Sequence, residues 1–208
     1  MATGQGGVRA RQRELTRQTL LGQARRLFAE HGYAAVGLAQ IVEAAGVTKG
    51  ALYHHFSGKP EVFRAVLEEV QQEVGLRVAR AADAEGDPWR QLIVGCQEFL
   101  TAATDPAVQR IMLVDGPAVL GWGEWRAMDE AASARHLADA LTAVADAGLI
   151  APQPVAPLAH LLSGAMNEAA LWLATSPDPA DLDRTRRALG ELLEGLRIGS
   201  NWSPIAGN

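Results

Sequence analysis

The chain has 208 residues, 48% apolar and 21% charged, with a formal net charge of −5. That is enough for one large domain, or a small one with a larger one, at an ordinary globular composition. With no run of ~18 apolar residues, a polar N-terminus and one cysteine, Cys96, the chain argues against a membrane span, a secretory signal and a disulfide framework, and for a reducing cytoplasm.

Apolar residues recur at spacings of three and four and no period-2 runs occur, so the reading is all-α, with about nine helices. Residues 1–12, rich in Gly and Arg, are expected to be disordered. From Leu15 to His31, Leu20, Leu21, Ala24, Leu27 and Phe28 make one stripe, and Gly32 follows as the residue ending the helix. A short helix is expected at 38–45, stopped by Gly46, and a second at 48–56 with Thr48 as N-cap. Pro60 suits the first position of a long helix running to about residue 82. Asp87-Pro88, Asp105-Pro106 and Asp178-Pro179 each read as a helix start, since Asp caps orphan N–H groups and Pro needs no partner there. The helix from Pro88 shows a core stripe of Trp89, Leu92, Ile93, Cys96, Phe99, Leu100 and Ala103. Further helices are expected from Pro106 to Val114, broken by Gly116-Pro117, then at 122–147, 155–175 and 179–197. The final "GSNWSPIAGN" reads as a loose tail.

Residues 46–60, "GVTKGALYHHFSGKP", carry two adjacent histidines, two lysines and a tyrosine. Neighbouring helical residues diverge by about 100°, so His54 and His55 are poorly placed to share a metal, and no metal site is expected. Two short helices joined by a tight Gly-containing turn are instead helix-turn-helix geometry. Ile41, Ala44, Val47, Leu52 and Phe56 would pack on Leu20, Ala24, Leu27 and Phe28 in a three-helix core. That frees a face carrying Thr48, Lys49, Ala51, Tyr53, His54 and His55. Small residues at Gly50 and Ala51 let the helix N-terminus approach a groove, where Lys49, Tyr53 and His55 can meet phosphate and His54 a base edge. Lys59, at the next helix start, is a second phosphate candidate. Charge agrees. Residues 1–66 carry nine Arg/Lys against four Asp/Glu, and residues 67–208 carry ten against twenty, so a basic front for a polyanion sits on an acidic body.

Residues 16–67, with "LFAEHGY", "AAGVTKGALYHHF" and "GKP" at matching spacing, resemble the DNA-binding domain of the tetracycline-repressor (TetR) family. The resemblance implies an all-helical homodimeric repressor: a three-helix helix-turn-helix domain at 13–60, then a larger ligand-binding and dimerisation domain at 61–198. Its second short helix would enter the major groove of a double-stranded operator. By resemblance, Thr48, Lys49, Gly50, Ala51, Tyr53, His54, His55 and Lys59 fall at DNA-contacting positions. Two departures stand out. Val36 and Gly37 replace the Ser or Thr that caps the family's second helix, and Val42 replaces a small residue.

In the body, Leu158, Leu162, Ala165, Ala169 and Trp172, and then Leu182, Leu189, Leu192 and Leu196, form heptad-like stripes on the last two helices. The resemblance assigns these helices to a four-helix dimer interface. "RIMLVDGPAVLGWGEWRAMDE", residues 110–130, combines aromatics with glycines and could open onto a pocket for a small-molecule effector. Candidate ligand-binding residues are Cys96, Phe99, Arg110, Met112, Trp122, Trp125, Met128 and Asn167. Arg110, Asp115, His160, Asn167 and Glu168 could orient a ligand or pair with one another. No nucleophile elbow, phosphate loop or metal pair is present, so no enzyme, catalytic residue or cofactor is expected. An activator, a ligand-independent regulator and a sequence-neutral DNA-packaging protein are the alternatives.

Overall fold

The computed structural model describes residues 4–198. Its helices are α1 (Gly4–His31), α2 (Leu38–Ala44), α3 (Lys49–Tyr53), α4 (Lys59–Asp83), α5 (Pro88–Ala103) and α6 (Pro106–Gln109). A π-helix, Arg110–Asp115, runs into α7 (Gly116–Leu120), followed by α8 (Trp122–Ala131), α9 (Ser133–Asp146), α10 (Val155–Thr175) and α11 (Asp181–Glu194). No strand occurs among the described residues; one isolated bridge joins Ile150 to Arg197. The chain divides into two compact units. One holds the chain up to Gln71 together with Pro106–Met128, and the other Gln72–Asp105 with the chain from Asp129 on.

Several boundaries differ from expectation. Residues 4–12 continue α1 instead of being disordered. The expected helix 48–56 is regular only to Tyr53. The stretch at Gly116-Pro117 does not break. A π turn widens the helix there, so the donor for the Met112 carbonyl becomes residue 117, which is proline and has none. The Trp125 indole N–H fills that role at 2.7 Å, and its ring lies where a Cβ on Gly116 would sit. The expected 122–147 helix is interrupted at Ala132 (φ −113°, ψ −110°). The cause is tertiary: Ala132 and Ser133 backbone atoms approach within 3.7 Å of where a Cβ on Gly75 would be. Asp178-Pro179 makes a turn, with Asp178 accepting from the Ala180 N–H at 2.9 Å, and the helix starts two residues later. The expected loose tail, 199–208, lies outside the described residues.

In the first unit, Leu20, Leu21, Ala24, Leu27 and Phe28 of α1 bury against Ile41, Leu52, Phe56 and the Val62–Val70 face of α4. Ala44, expected in this core, is exposed, and Val47 is half-buried. Phe28, Tyr33 and Phe63 form a ring cluster with centroids 5.0–5.7 Å apart. In the second unit, α5 lies against α9, α10 and α11 through Leu92, Phe99, Leu100, Leu141, Met166 and Leu193. Trp89 donates to Glu194 at 2.6 Å and stacks under Arg197, tying α5 to the end of α11.

Candidate nucleic-acid interface and cavity

Thr48 caps α3 as its type requires: its hydroxyl oxygen accepts from the Ala51 N–H at 3.2 Å. Gly37 cannot cap α2 with a side chain. Gln40 supplies the reciprocal half of a capping box, accepting from the Gly37 N–H at 2.7 Å. Gly46, at φ +64°, makes the left-handed turn between the two short helices. Buried Ile41, Leu52 and Phe56 then fix which way α3 faces.

The free face of α3 carries Thr48, Lys49, Gly50, Tyr53 and His54, all exposed, with Ala51 half-buried beneath. The Lys49 ammonium stands 5.9 Å from the Tyr53 ring centre. Two N-terminal arginines brace this face from behind: Arg13 donates to the His54 carbonyl at 3.2 Å, and Arg17 lies 5.8 Å over Phe56. His55 is half-buried beside them. Burial first, and then the Arg13 and Arg17 guanidiniums, hold its imidazole below the usual histidine range. Lys59 points elsewhere. Its ammonium donates to the Tyr33 and Val36 carbonyls, both at 2.7 Å, and sits 4.1 Å over the Tyr33 ring.

The 106–128 excursion grips the same unit. Asp115 accepts from the Tyr33 N–H at 2.8 Å. The Arg110 guanidinium lies against Gly32 at the C-terminal end of α1, where a cation complements the helix dipole. Arg64 pairs with Glu124.

The second unit encloses a cavity of about 300 Å³, within the range of small-ligand sites. Its walls come from α4, α5, α9 and α10. Val78, Leu92, Cys96, Phe99, Leu137 and Met166 make the apolar part, and Asp83, Gln91, Ser133, His136, Asp139 and Ser163 the polar part. Burial pushes the Cys96 thiol up to about 12, so it stays protonated and unreactive.

Of the residues expected to bind a ligand, Cys96 and Phe99 line this cavity. Met112 and Trp125 are buried in the first unit, Trp122 stacks on Trp125 in the open, and Arg110 faces Gly32. Met128 is half-buried outside the lining, and Asn167 is buried with its carbonyl oxygen lacking a hydrogen-bond partner. The aromatic segment 110–130 that the sequence singled out lies outside this cavity. The overlooked walls were polar positions interrupting apolar helix faces, notably Ser133, His136, Asp139 and Ser163.

The expected dimer stripes divide. Leu162 is 4% exposed and Leu189 is also buried, both inside their own unit, while Leu158, Ala169, Leu182 and Leu196 are half-buried. The outward apolar row on α10 runs through Leu161 (70% exposed), Ala165 and Trp172 (51%), and Leu192 (54%) stands out on α11.

No helix among the described residues is long and apolar enough to cross a membrane, and no group of three or more His, Cys, Asp or Glu there could hold a metal. Residues 20–66 match the family described as bacterial regulatory proteins, tetR family, and residues 89–196 match a tetracyclin repressor-like C-terminal domain. The transcriptional regulator AcrR of Shigella flexneri is 40% identical over 74 residues, covering 35% of this chain and 34% of that protein. The repressor AcnR of Corynebacterium glutamicum is 34% identical over 113 residues, covering 50% and 60%. The match thus spans less than two thirds of these curated relatives' length. A TetR-family regulator from Pectobacterium atrosepticum, solved at 1.64 Å, superposes with a TM-score of 0.74 and 34% identity, covering 90% of this chain and 97% of that one. With both matched segments in order and a solved relative alike along nearly its whole length, the chain belongs to the TetR family of bacterial transcriptional regulators.

Proposed function

We propose that the chain is a cytoplasmic, homodimeric repressor that binds a near-palindromic double-stranded DNA operator and leaves it when a small molecule fills the cavity. The observation that carries the DNA reading is the α3 face: Lys49, Tyr53 and His54 stand in solvent, and no side chain of theirs is hydrogen-bonded among the described residues. In this reading the N-terminus of α3 and Lys49 meet phosphate, Tyr53 and His55 flank it, and His54 reads a base edge. Lys59 acts as a brace on the turn before α2. The enclosed volume between α4, α5, α9 and α10 supports the effector reading. Helix α4 carries both the Val62–Val70 face under the reading helix and the Val78–Asp83 wall of the cavity.

Two copies would pair through the outward row of α10 and α11, setting the reading helices about one DNA turn, ~34–36 Å, apart. To move a switch from mostly bound to mostly released, the effector must prefer the released form by roughly 10⁴-fold. Selection of genomic fragments by the purified full chain tests the reading. Enrichment of one near-palindrome is the expected result, and recovery of fragments without a shared sequence would overturn it in favour of DNA packaging.

A further inference from the structure

The polar part of the cavity is one-sided. Its lining contains no lysine or arginine, and two aspartates, Asp83 and Asp139, stand exposed where the lining meets solvent. Neither carboxylate has an ion-pair or hydrogen-bond partner among the described residues. The neutral polar groups lean the same way. Gln91 commits one amide N–H to the Glu85 carbonyl at 2.7 Å, which leaves its oxygen as an acceptor beside a single remaining N–H. Ser133 directs its hydroxyl at the buried Asp129 carboxylate, at 3.1 Å, and so presents lone pairs rather than a proton, and Ser163 also donates to Asp129, at 3.4 Å. His136 can serve as donor or acceptor by tautomer, and the Cys96 thiol is a weak donor. The rest of the wall is aliphatic, with Phe99 as the aromatic surface.

A carboxylate or phosphate ester entering this cavity would meet acceptors and no cation, and a buried charge without a partner is costly. A ligand that brings donors and positive charge meets the opposite situation. The acidic excess of residues 67–208 adds a field of the same sign. We propose that the cavity takes a compact organic cation, with an apolar body against Leu92, Phe99 and Met166 and a protonated amine held at the mouth by Asp83 and Asp139. This rests on the reading of the cavity as the effector site and adds the chemical class of the effector.

Three probes that share a body and differ only in the head group test it: phenylbutylamine, phenylbutanol and phenylbutyrate. Binding to the full chain is read by calorimetry. Ala140→Phe, which fills the cavity from its α9 wall, localises the binding: in a variant that stays helical by circular dichroism, the heat of every probe should be lost. The amine is expected to bind about five- to tenfold tighter than the alcohol, the range of two solvated ion pairs, and the carboxylate weakest. The paired substitution Asp83→Asn and Asp139→Asn should erase the preference while the alcohol still binds. Both aspartates are exposed and unpartnered, so the fold should survive the change. Equal or tighter binding of the alcohol or carboxylate overturns the proposal and leaves the effector reading standing; so does an amine preference that outlives the substitutions. If no probe gives heat, or Ala140→Phe leaves the heats unchanged, the effector reading itself fails and this one falls with it.

Discussion

Lys59→Met separates two roles for the same ammonium. In the structure that group donates to two backbone carbonyls, of Tyr33 and Val36, and caps the Tyr33 ring. Methionine keeps the length and apolar stem but leaves both carbonyls without their donor. A hydrogen bond to a charged group contributes about 1.5–3 kcal/mol, and a partly solvated cation–π contact about 0.5–1. Lys59 is only half-buried, so water will reach one carbonyl and recover part of the loss, for a net cost of about 2 kcal/mol. With a urea slope of about 2 kcal/mol/M for a chain of this size, the midpoint should fall by about 1 M. Trp122 and Trp125 lie in the affected unit and report its unfolding by fluorescence. The same variant is then titrated with operator DNA over a range of salt. A brace leaves the slope of log K against log salt unchanged, whereas loss of a phosphate contact flattens it by about one. An unaltered urea midpoint with a flattened slope would refute the brace and return Lys59 to the DNA.

The two sides of α10 give opposite expectations. Leu161→Glu, on the outward row, should produce a folded monomer by light scattering. Leu162→Ala, one residue on but buried, should keep the dimer and lower stability by about 2–5 kcal/mol; a dimer that survives Leu161→Glu moves the interface elsewhere. For His55, the imidazole is held below its ordinary range in the free chain, so it contributes to folding above that range and the contribution is lost as pH falls. A nearby DNA phosphate would favour its charged form, so binding should take up a proton and tighten as pH drops from ~7.5 to ~6, by up to about tenfold per unit. His55→Gln should flatten that dependence in fluorescence anisotropy; an unchanged pH profile removes His55 from the DNA contact.

The recognition unit was legible because its signals are local. Thr48 caps the helix that follows it, Gly46 needs a left-handed backbone, and Leu20, Ala24 and Phe28 repeat at helical spacing. Asp87 and Pro88 opened α5 as expected, with Asp87 accepting from the Arg90 N–H at 3.0 Å. What escaped was decided at a distance. Gly116-Pro117 carries every local mark of a helix stop, yet an indole eight residues beyond Pro117 replaces the missing donor and the helix runs on. Ala132 has no local reason to break a helix, and the close approach to Gly75 decides it. The cavity is of this second kind. Its walls are drawn from four helices, and no single one of them carries a pattern that announces a binding site. Lys59 shows the limit from the other side, since position along the chain suggested a phosphate and gave no sign of the two carbonyls and the Tyr33 ring that surround the ammonium in the free chain.

The 106–128 excursion bears on how this protein can be taken apart. The segment recognised at 20–66 is continuous, but the body it folds into is not: Ile111, Met112, Leu113 and Trp125 are buried in it, and Asp115 holds the Tyr33 N–H. A truncation after Gln71 would strip that unit of four large apolar side chains, each contributing about 1.5–3 kcal/mol of burial. A chimaera that moves this reading head onto another family member's body therefore has to carry residues 106–128 along with it, as two spliced pieces of one module.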